Sequence, residues 1–221
     1  MSKLNREAIS AMRRSYGEIG LPDSALSPDP IEQFHLWMAQ AADNEFVVEA
    51  NAMVLTTVSQ VGPTTRSVLL KDLNPAGFTF FTNYGSRKAR AIESNPAVSL
   101  LFPWYAMERQ VAILGNAEKV SAADSDAYFA TRPWGSQIGA WASTQSDELT
   151  SREELEARYK EFAAKYPEGT TVPRPDYWGG FLVRPTTIEF WQGRYSRLHD
   201  RVIYERATPQ EINWSRRRLF P

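Results

Sequence analysis

Residues 52–73 read AMVLTTVSQVGPTTRSVLLKDL, and this stretch decides the fold class. Both halves are rich in β-branched residues, and the pair Gly62 and Pro63 stands between them. β-Branched runs separated by Gly and Pro are typical of strands joined by a short connection. The stretch therefore predicts two successive antiparallel strands.

The same pattern continues along the chain and predicts a β-sheet. The further segments are FTFFTN at 78–83, AVSLLFPW at 97–104, QVAILGNAEKV at 110–120, GGFLVRPTTIEFWQG at 179–193 and RLHDRVIYERA at 197–207. Six or seven antiparallel strands with short connections indicate a barrel.

Helical signals interrupt the strands. Asp29 and Pro30 are residue types that cap and start a helix, and an apolar stripe follows them. Serines begin three more predicted helices, at 86–95, 121–131 and 151–165, and residues 4–17 predict a short basic helix. The predicted fold class is mainly β with peripheral helices, an α+β protein.

Composition excludes several classes of protein. Lys and Arg number 25 and Asp and Glu 26, so the net charge of -1 provides no broad basic field for non-specific nucleic-acid binding. No cysteine is present, which excludes disulfides and thiolate chemistry. The N-terminus lacks an apolar signal region and no run of roughly 18 apolar residues occurs, so we expect a cytoplasmic protein. Because HExxH, GxSxG and GxGxxG are absent, we expect no metal site and a reaction carried by a cofactor.

One segment has the features of a phosphate site. In FTNYGSRKARAIESN, residues 81–95, a predicted strand passes through a glycine turn into a helix whose first turn carries Arg87 and Lys88. Cations at a helix N-terminus are unfavourable by roughly 0.3–1 kcal/mol each, so their presence favours a bound anion. The segment lacks the P-loop pattern GxxxxGK[ST].

Other polar groups allow two interpretations each. Tyr128 and Arg132 share one helix face with Ser136 just beyond, which suits a second anion or simply a helix C-terminus with a favourable arginine. Gln145 and Ser146 suit the edge of a heterocycle or a plain loop. Arg66 stands five residues before Lys71, so a regular strand would put the two on opposite faces. Either the two serve different groups or a bulge intervenes.

A late segment, WQGRYSRLHDR at 191–201, holds one of the two histidines among three arginines. Read as a strand, it projects Arg197, His199 and Arg201 to one side. Such a row forms either a charged edge strand or a site for an anionic ligand.

Taken in order, many motifs carry one resemblance. They are RSVLLKDL, FTNYGSRKA, NPAVSLLFPW, ERQV, RPWGSQIGAWAS, WGGF, EFWQG, RLHDR and the terminal RLFP. From Arg13 to Pro221 the chain resembles the pyridoxine (pyridoxamine) 5'-phosphate oxidase family. The resemblance implies an FMN-binding split barrel, a six-stranded antiparallel Greek-key barrel, and a homodimer with FMN at the subunit interface. It also implies an N-terminal arm or lid with a short helix over 1–28, and a split-barrel domain with a C-terminal dimerisation region over 29–221.

The resemblance also assigns residues to the cofactor. It implies that Arg66, Arg87 and Lys88 hold the FMN phosphate. The other implied cofactor residues are Ser67, Val68, Leu69, Leu70, Lys71, Phe81, Thr82, Gln110, Gln145, Ser146, Trp191 and Arg201. Some of these come from the partner subunit.

The substrate residues implied by the resemblance fall into three groups. Those for the substrate phosphate are Lys71, Tyr128, Arg132 and Ser136. Arg197 and His199 lie over the pyridine ring, and His199 either relays a proton or only orients the substrate. The arm motif that acts as a lid consists of Arg13, Arg14, Ser15 and Tyr16.

The implied reaction is the oxidation of pyridoxine 5'-phosphate and pyridoxamine 5'-phosphate in vitamin B6 salvage. Hydride passes from the 4' carbon to flavin N5, and O2 reoxidises the flavin. The products are pyridoxal 5'-phosphate and H2O2, with NH3 from the amine. One alternative is a related split-barrel flavin oxidase of the phenazine type. Another is a flavin-binding or nucleic-acid-binding module without catalysis.

Overall fold

The computed structural model describes residues 5–221; residues 1–4, where the predicted arm begins, lie outside that range. The strands are β1 Ala52–Ser59, β2 Gly62–Leu69, β3 Asp72–Asn74, β4 Gly77–Asn83, β5 Ala97–Trp104, β6 Arg109–Lys119, β7 Trp178–Gln192, β8 Asp200–Glu205 and β9 Ser215–Leu219. The helices are α1 Arg6–Ala11, α2 Pro30–Ala42, α3 Arg87–Ser94, α4 Ala122–Thr131, α5 Trp134–Ala142 and α6 Arg152–Lys165. Every helix in the described range is too short or too polar to cross a bilayer.

All strands belong to one antiparallel sheet in the order β2-β1-β5-β6-β7-β4-β3, with β8 on β7 and β9 on β8. Within residues 5–221 the sheet has nine strands, more than the six or seven that the sequence pattern predicts. Local pattern did not reveal β3 or β9, because each is short. The central strand β7 has 15 residues and pairs β4 with its first part and β8 with its last part.

The strand predicted over RSVLLKDL breaks in the middle. The backbone N–H of Leu70 donates to Asn51 O at 2.9 Å, toward β1, whereas that of Lys71 donates to Thr79 O at 2.8 Å, toward β4. Leu70 and Lys71 thus bond toward two strands, β1 and β4, that are separated by β5, β6 and β7 in the sheet. This switch of partner ends the simple alternation of faces that a regular strand would keep.

The core lies between the sheet and α2. Phe34 is fully buried and meets Phe78 and Phe102 edge to face, at centroid distances of 5.0 and 4.8 Å. A second apolar cluster beneath α4 and α5 contains Phe129, Ile138 and Trp178. This second cluster supports one wall of the cleft described below.

The capped helices α2, α3, α4 and α6 confirm the sequence predictions within a residue or two. The N-terminal helix is shorter than predicted, because it ends at Ala11 and the chain is non-helical from Met12. Helix α5 was missed: Pro133 ends α4 as expected, and a new helix begins at Trp134. Ser136 therefore lies in the first turn of α5 and not in a loop.

Candidate active site

A cleft of about 1160 Å³ lies between β2, β4, the start of α3 and the helices α4 and α5. Among residues 5–221, no carboxylate lines the cleft and five cationic side chains do: Arg66, Lys71, Arg87, Lys88 and Arg132. Within the described part of the chain, none of the five forms an ion pair with Asp or Glu. In a protein of net charge -1, such a concentration of positive charge suits anionic ligands.

Lys88 is buried at one end of the cleft among neutral groups. Its Nζ donates to Thr82 Oγ1 at 3.1 Å, to Ser86 Oγ at 3.3 Å and to Gln145 Oε1 at 3.0 Å. Burial, and then the charge of Arg66, lower the pKa of Lys88 to about 8. A bound dianion would supply the missing counter-charge.

The start of α3 and segment 143–146 meet at the same end. Ser86 caps α3, accepting from the backbone N–H of Ala89, and the N–H of Arg87 donates to Ser146 Oγ at 3.1 Å. Ser146 has a left-handed φ of 78°, an uncommon conformation for a residue other than glycine. The start of α3, the positive end of the helix dipole, therefore lies at the Lys88 end of the cleft.

Arg66 faces the same end from β2. Its guanidinium donates to Leu55 O and to the hydroxyls of Thr57 and Thr64, all neutral acceptors. Burial, and then the charge of Arg87, lower the pKa of Arg66. Both Arg66 and Lys71 line the cleft, because strand β2 ends at Leu69 and the regular alternation of faces ends with it. The strand is thus irregular between them, as one of the two alternatives predicted.

Aromatic rings form the other end. Tyr128 stacks on Phe81 at 3.9 Å, and the Arg132 guanidinium lies 4.6 Å from the Trp178 ring centroid. Arg132 Nη1 is buried and has no hydrogen-bond partner among the described residues. A buried donor without an acceptor is costly, so a ligand acceptor at this position is strongly favoured. Burial lowers the pKa of Arg132 and raises that of Tyr128.

The predicted site residues divide into two sets. The fourteen in the cleft are Arg66, Ser67, Val68, Leu69, Lys71, Phe81, Thr82, Arg87, Lys88, Tyr128, Arg132, Ser136, Gln145 and Ser146. Those that do not line it are Leu70, Gln110, Trp191, Arg197, His199, Arg201, Arg13, Arg14, Ser15 and Tyr16. Sequence reasoning missed Trp178 as a lining residue, although the WGGF motif contained it.

Three residues of the second set form an aromatic group, which we call the His199 cluster: Tyr16, Trp191 and His199. The centroids of Trp191 and His199 are 4.6 Å apart, and Tyr16 meets both rings edge-on at 5.7 and 5.4 Å. Trp191 is thirteen residues beyond Trp178 on β7, roughly 40 Å of extended strand. The cleft and the His199 cluster thus lie at opposite ends of β7.

The segment around His199 is not a strand, which corrects the prediction of a one-sided row. Arg197 lies in a 3₁₀ turn with left-handed φ angles at Ser196 and at itself, 52° and 60°. Only Arg201 lies in β8, where its guanidinium pairs with both Glu189 oxygens at 2.7 and 3.0 Å. Non-glycine residues with positive φ give no periodic signal in a sequence.

Hydrogen bonding determines which nitrogen of His199 carries the proton. The backbone N–H of Arg194 donates to His199 Nδ1 at 3.0 Å. Because this nitrogen accepts, the neutral ring has its hydrogen on Nε2. Burial, and then the charge of Arg197, lower the pKa of His199, which favours the neutral ring at pH 7.

Two family models match the chain. Residues 39–166 match the model described as pyridoxamine 5'-phosphate oxidase, and residues 178–221 match the model described as the pyridoxine 5'-phosphate oxidase C-terminal dimerisation region. The chain belongs to the pyridoxamine 5'-phosphate oxidase family. The two matches cover the strands that line the cleft and the whole of β7, whereas Tyr16 of the His199 cluster lies outside both matched ranges.

Curated relatives within the pyridoxamine 5'-phosphate oxidase family are similar over nearly their full length. The chain is 52% identical over 217 residues to the pyridoxine/pyridoxamine 5'-phosphate oxidase of Rubrobacter xylanophilus, covering 98% of both chains. It is 52% identical over 214 residues to the enzyme of that name from Thermosynechococcus vestitus, covering 96% of this chain and 99% of the other.

Solved structures share the fold. PhzG from Burkholderia lata, in complex with tetrahydrophenazine-1-carboxylic acid, superposes with a TM-score of 0.84 at 29% identity, covering 93% of this chain and 99% of that one. A pyridoxamine 5'-phosphate oxidase-related, FMN binding protein from Nostoc punctiforme superposes with a TM-score of 0.69 at 17% identity, covering 89% and 100%. At that identity the second likeness shows the fold alone.

Proposed function

We propose that this chain oxidises pyridoxine 5'-phosphate and pyridoxamine 5'-phosphate to pyridoxal 5'-phosphate, with FMN as cofactor and O2 as final acceptor. The observation that carries the proposal is the cleft with five cations and no carboxylate. Its volume of about 1160 Å³ exceeds the usual range for one small ligand, which accommodates a cofactor and a substrate together.

The Lys88 end fits the FMN phosphate. Three cations converge there without an acidic partner among the described residues, and the positive end of the α3 dipole lies at the same place. We assign the phosphate to Arg66, Arg87 and Lys88. The flavin would lie along the strand from Ser67 to Lys71, with Phe81, Thr82, Gln145 and Ser146 beside it.

The Arg132 end fits the substrate phosphate. The buried Nη1 of Arg132 lacks an acceptor, and the hydroxyls of Tyr128 and Ser136 line the same region. Lys71 also lines the cleft, directly after the strand that we assign to the flavin. We therefore assign Lys71, Tyr128, Arg132 and Ser136 to the substrate phosphate.

A second copy of the chain would complete the site. Gln110, Trp191 and Arg201 are neighbours in the pairing of β6, β7 and β8, at the end of β7 away from the cleft. One copy alone does not place them around its own ligands. We propose a homodimer in which this end of each copy, with Arg197, His199 and the arm residues Arg13, Arg14, Ser15 and Tyr16, covers the cleft of the other.

The chain itself would bind and orient the reactants and exclude water. Bound FMN supplies N5 as hydride acceptor and passes the electrons on to O2. The protein holds the 4' carbon near that acceptor, at about 3–3.5 Å for a productive complex. Since Nδ1 of His199 already accepts a hydrogen bond, its Nε2–H can donate to the substrate, which supports orientation over proton acceptance. Arg197 supplies positive charge beside it.

We also propose that the chain consists of an arm over 1–28 and a split-barrel domain over 29–221, and that it is located in the cytoplasm.

The alternative function, a phenazine-type flavin oxidase, is supported by the 29% identity to PhzG. The higher identity to relatives that are named for the phosphate substrates favours the B6 reaction.

The test is anaerobic mixing of the holoenzyme with pyridoxine 5'-phosphate, following flavin absorbance through one turnover. We expect the oxidised flavin band to bleach while pyridoxal 5'-phosphate forms. Unphosphorylated pyridoxine is the matched control and should react far more slowly. If the flavin stays oxidised with both phosphates but bleaches with a reduced phenazine acid, the proposal fails in favour of the alternative.

A further inference from the structure

Between Arg14 and Asp23, polar contacts attach the N-terminal arm to the rest of the chain at two places. The first is Glu108, whose Oε2 accepts from the N–H of Gly17 at 2.9 Å and whose Oε1 lies 3.7 Å from Arg14 Nη2. The N–H of Tyr195 also donates to Gly17 O at 3.1 Å. These contacts put Tyr16 against the rings of Trp191 and His199.

The second attachment is a group of four residues, which we call the clasp: Leu21, Asp23, Asp200 and Arg218. Leu21 donates its N–H to Asp200 Oδ2 at 2.9 Å, and its carbonyl accepts from Arg218 Nη2. The same guanidinium bonds Asp23 Oδ1 at 2.9 Å and Asp200 Oδ1 at 3.1 Å. Arg218 thus lies between two carboxylates, and Arg218 and Asp200 together fix both backbone groups of Leu21.

The clasp continues into the loop that carries His199. Asp200 follows His199 directly, and its Oδ2 lies 3.7 Å from Arg194 Nη1. Arg194 in turn holds His199 Nδ1 through its backbone N–H. Space at this point is tight, because a Cβ on Gly20 would lie 3.2 Å from Asp200 Oδ2. One carboxylate therefore contacts the arm, the C-terminal strand and the His199 loop.

We propose that Asp200 and Arg218 are a positioning pair: by fixing the arm at Leu21 they hold Tyr16 against His199 and so set the affinity for substrate. The proposal rests on the proposed function, since it requires His199 to face the substrate. Arg218 is 38% exposed, and exposed ion pairs contribute little to global stability. The effect of its loss should therefore appear in arm placement and substrate affinity.

The same strand offers a matched control. Arg217 also pairs with one carboxylate, that of Glu205 at 2.7 Å, but contacts neither the arm nor the His199 loop. In R218A holoenzyme we expect KM for pyridoxine 5'-phosphate to rise about tenfold, with kcat changed less than about twofold and flavin content unchanged. R217A should keep the wild-type KM.

A second readout does not depend on the reaction. Trypsin cleavage after Arg13 and Arg14, followed by mass spectrometry on the holo protein, should accelerate in R218A and not in R217A. D200N, which keeps an oxygen for the Leu21 N–H but removes the charge, should shift both readouts in the same direction as R218A. This variant also guards against a local folding defect at Arg218.

Two results would contradict the proposal that Asp200 and Arg218 position the arm. One is equal KM and equal cleavage in R218A and R217A; the other is faster cleavage in R218A with an unchanged KM. A failure of the proposed function looks different, because wild-type holoenzyme would then turn over neither phosphate. The cleavage assay would still test the clasp in that case. Equal cleavage rates in R218A and R217A would count against the clasp, and faster cleavage in R218A would support the attachment of the arm by Arg218.

Discussion

The backbone N–H of Arg194 donates to Nδ1 of His199 at 3.0 Å. A backbone N–H can only donate, so this contact leaves the Nε2–H of the neutral ring as the group available to a ligand. With its pKa lowered by burial and by Arg197, the ring is a neutral donor at pH 7.

Amide substitutions at His199 test this assignment. The side-chain nitrogen of Gln can replace Nε2, whereas Asn reaches only the position of Nδ1. We expect H199Q to exceed H199N by about tenfold in kcat/KM, the worth of one ligand hydrogen bond. Steady-state kinetics with pyridoxine 5'-phosphate measure the difference. Equal loss in both variants, together with the disappearance of a pH-dependent limb near the histidine pKa, would instead indicate proton acceptance by His199.

FMN binding should depend on the protonation of Lys88. The pKa of Lys88 in the ligand-free protein is about 8, below the ordinary lysine value of 10.5, so the charge of Lys88 is lost as pH rises through 8. A phosphate dianion favours the charged form, so FMN binding should take up a proton between pH 8 and 10.5 and weaken as pH rises. Quenching of FMN fluorescence by apoprotein across this range gives Kd. K88M should bind more weakly at pH 7 and lose most of the dependence; an unchanged profile would contradict the role of Lys88.

The free energy of unfolding of the apoprotein should change with pH in the opposite direction: it should rise as pH rises, whereas FMN binding weakens. The folded pKa of Lys88 is depressed, so the unfolded chain binds more protons between pH 8 and 10.5. By linkage, this group makes folding more favourable as pH rises through that window, and the contribution is lost as pH falls back through 8. Comparing denaturation of wild type and K88M at several pH values isolates the contribution.

The two ends of the cleft should separate cofactor from substrate. Arg132 has a buried Nη1 without an acceptor, and Arg87 lies at the start of α3. We expect R132A to raise KM for pyridoxine 5'-phosphate by roughly 10–100-fold with flavin retained, since hydrogen bonds to charged groups are worth about 1.5–3 kcal/mol. R87A should instead lose flavin on dialysis. Flavin loss from R132A would count against the assignment of its end to substrate.

Phe34 should dominate the stability of the core. It is fully buried between Phe78 and Phe102, so F34A should lower the free energy of unfolding by about 3–5 kcal/mol. His35 is exposed on the same helix and provides the control. H35A should change the free energy of unfolding by less than about 0.5 kcal/mol. Chemical denaturation at fixed protein concentration measures both.

Local signals made much of the fold predictable. Ser86, Ser121 and Ser151 each accept from the backbone N–H three residues on, as their positions before the helices predict. In contrast, β9 has the sequence SRRRL with no β-branched residue. It forms a strand because β8 offers an edge to pair with, a tertiary effect that local pattern does not contain.

The sequence predicted the residues of the cleft correctly where they lie together on one helix or strand. Arg87 and Lys88 at the start of α3 pointed to an anion from their position alone. The sequence left two alternatives for Arg66 and Lys71, because the exchange of hydrogen-bond partners from Asn51 at Leu70 to Thr79 at Lys71 is a property of the folded sheet and not of the local pattern. The pairing of Arg201 with Glu189 and the left-handed turn at Arg197 likewise depend on neighbours and backbone angles.

Because β7 separates the cleft from the His199 cluster, the proposed dimer allows two inactive variants to complement each other. A chain with a damaged cleft and a chain with a damaged His199 cluster would each be inactive alone. Mixed together, they should complement each other, because one site of every mixed dimer combines the intact cleft with the intact cluster. Since half of randomly formed dimers are mixed, about a quarter of the sites should recover activity.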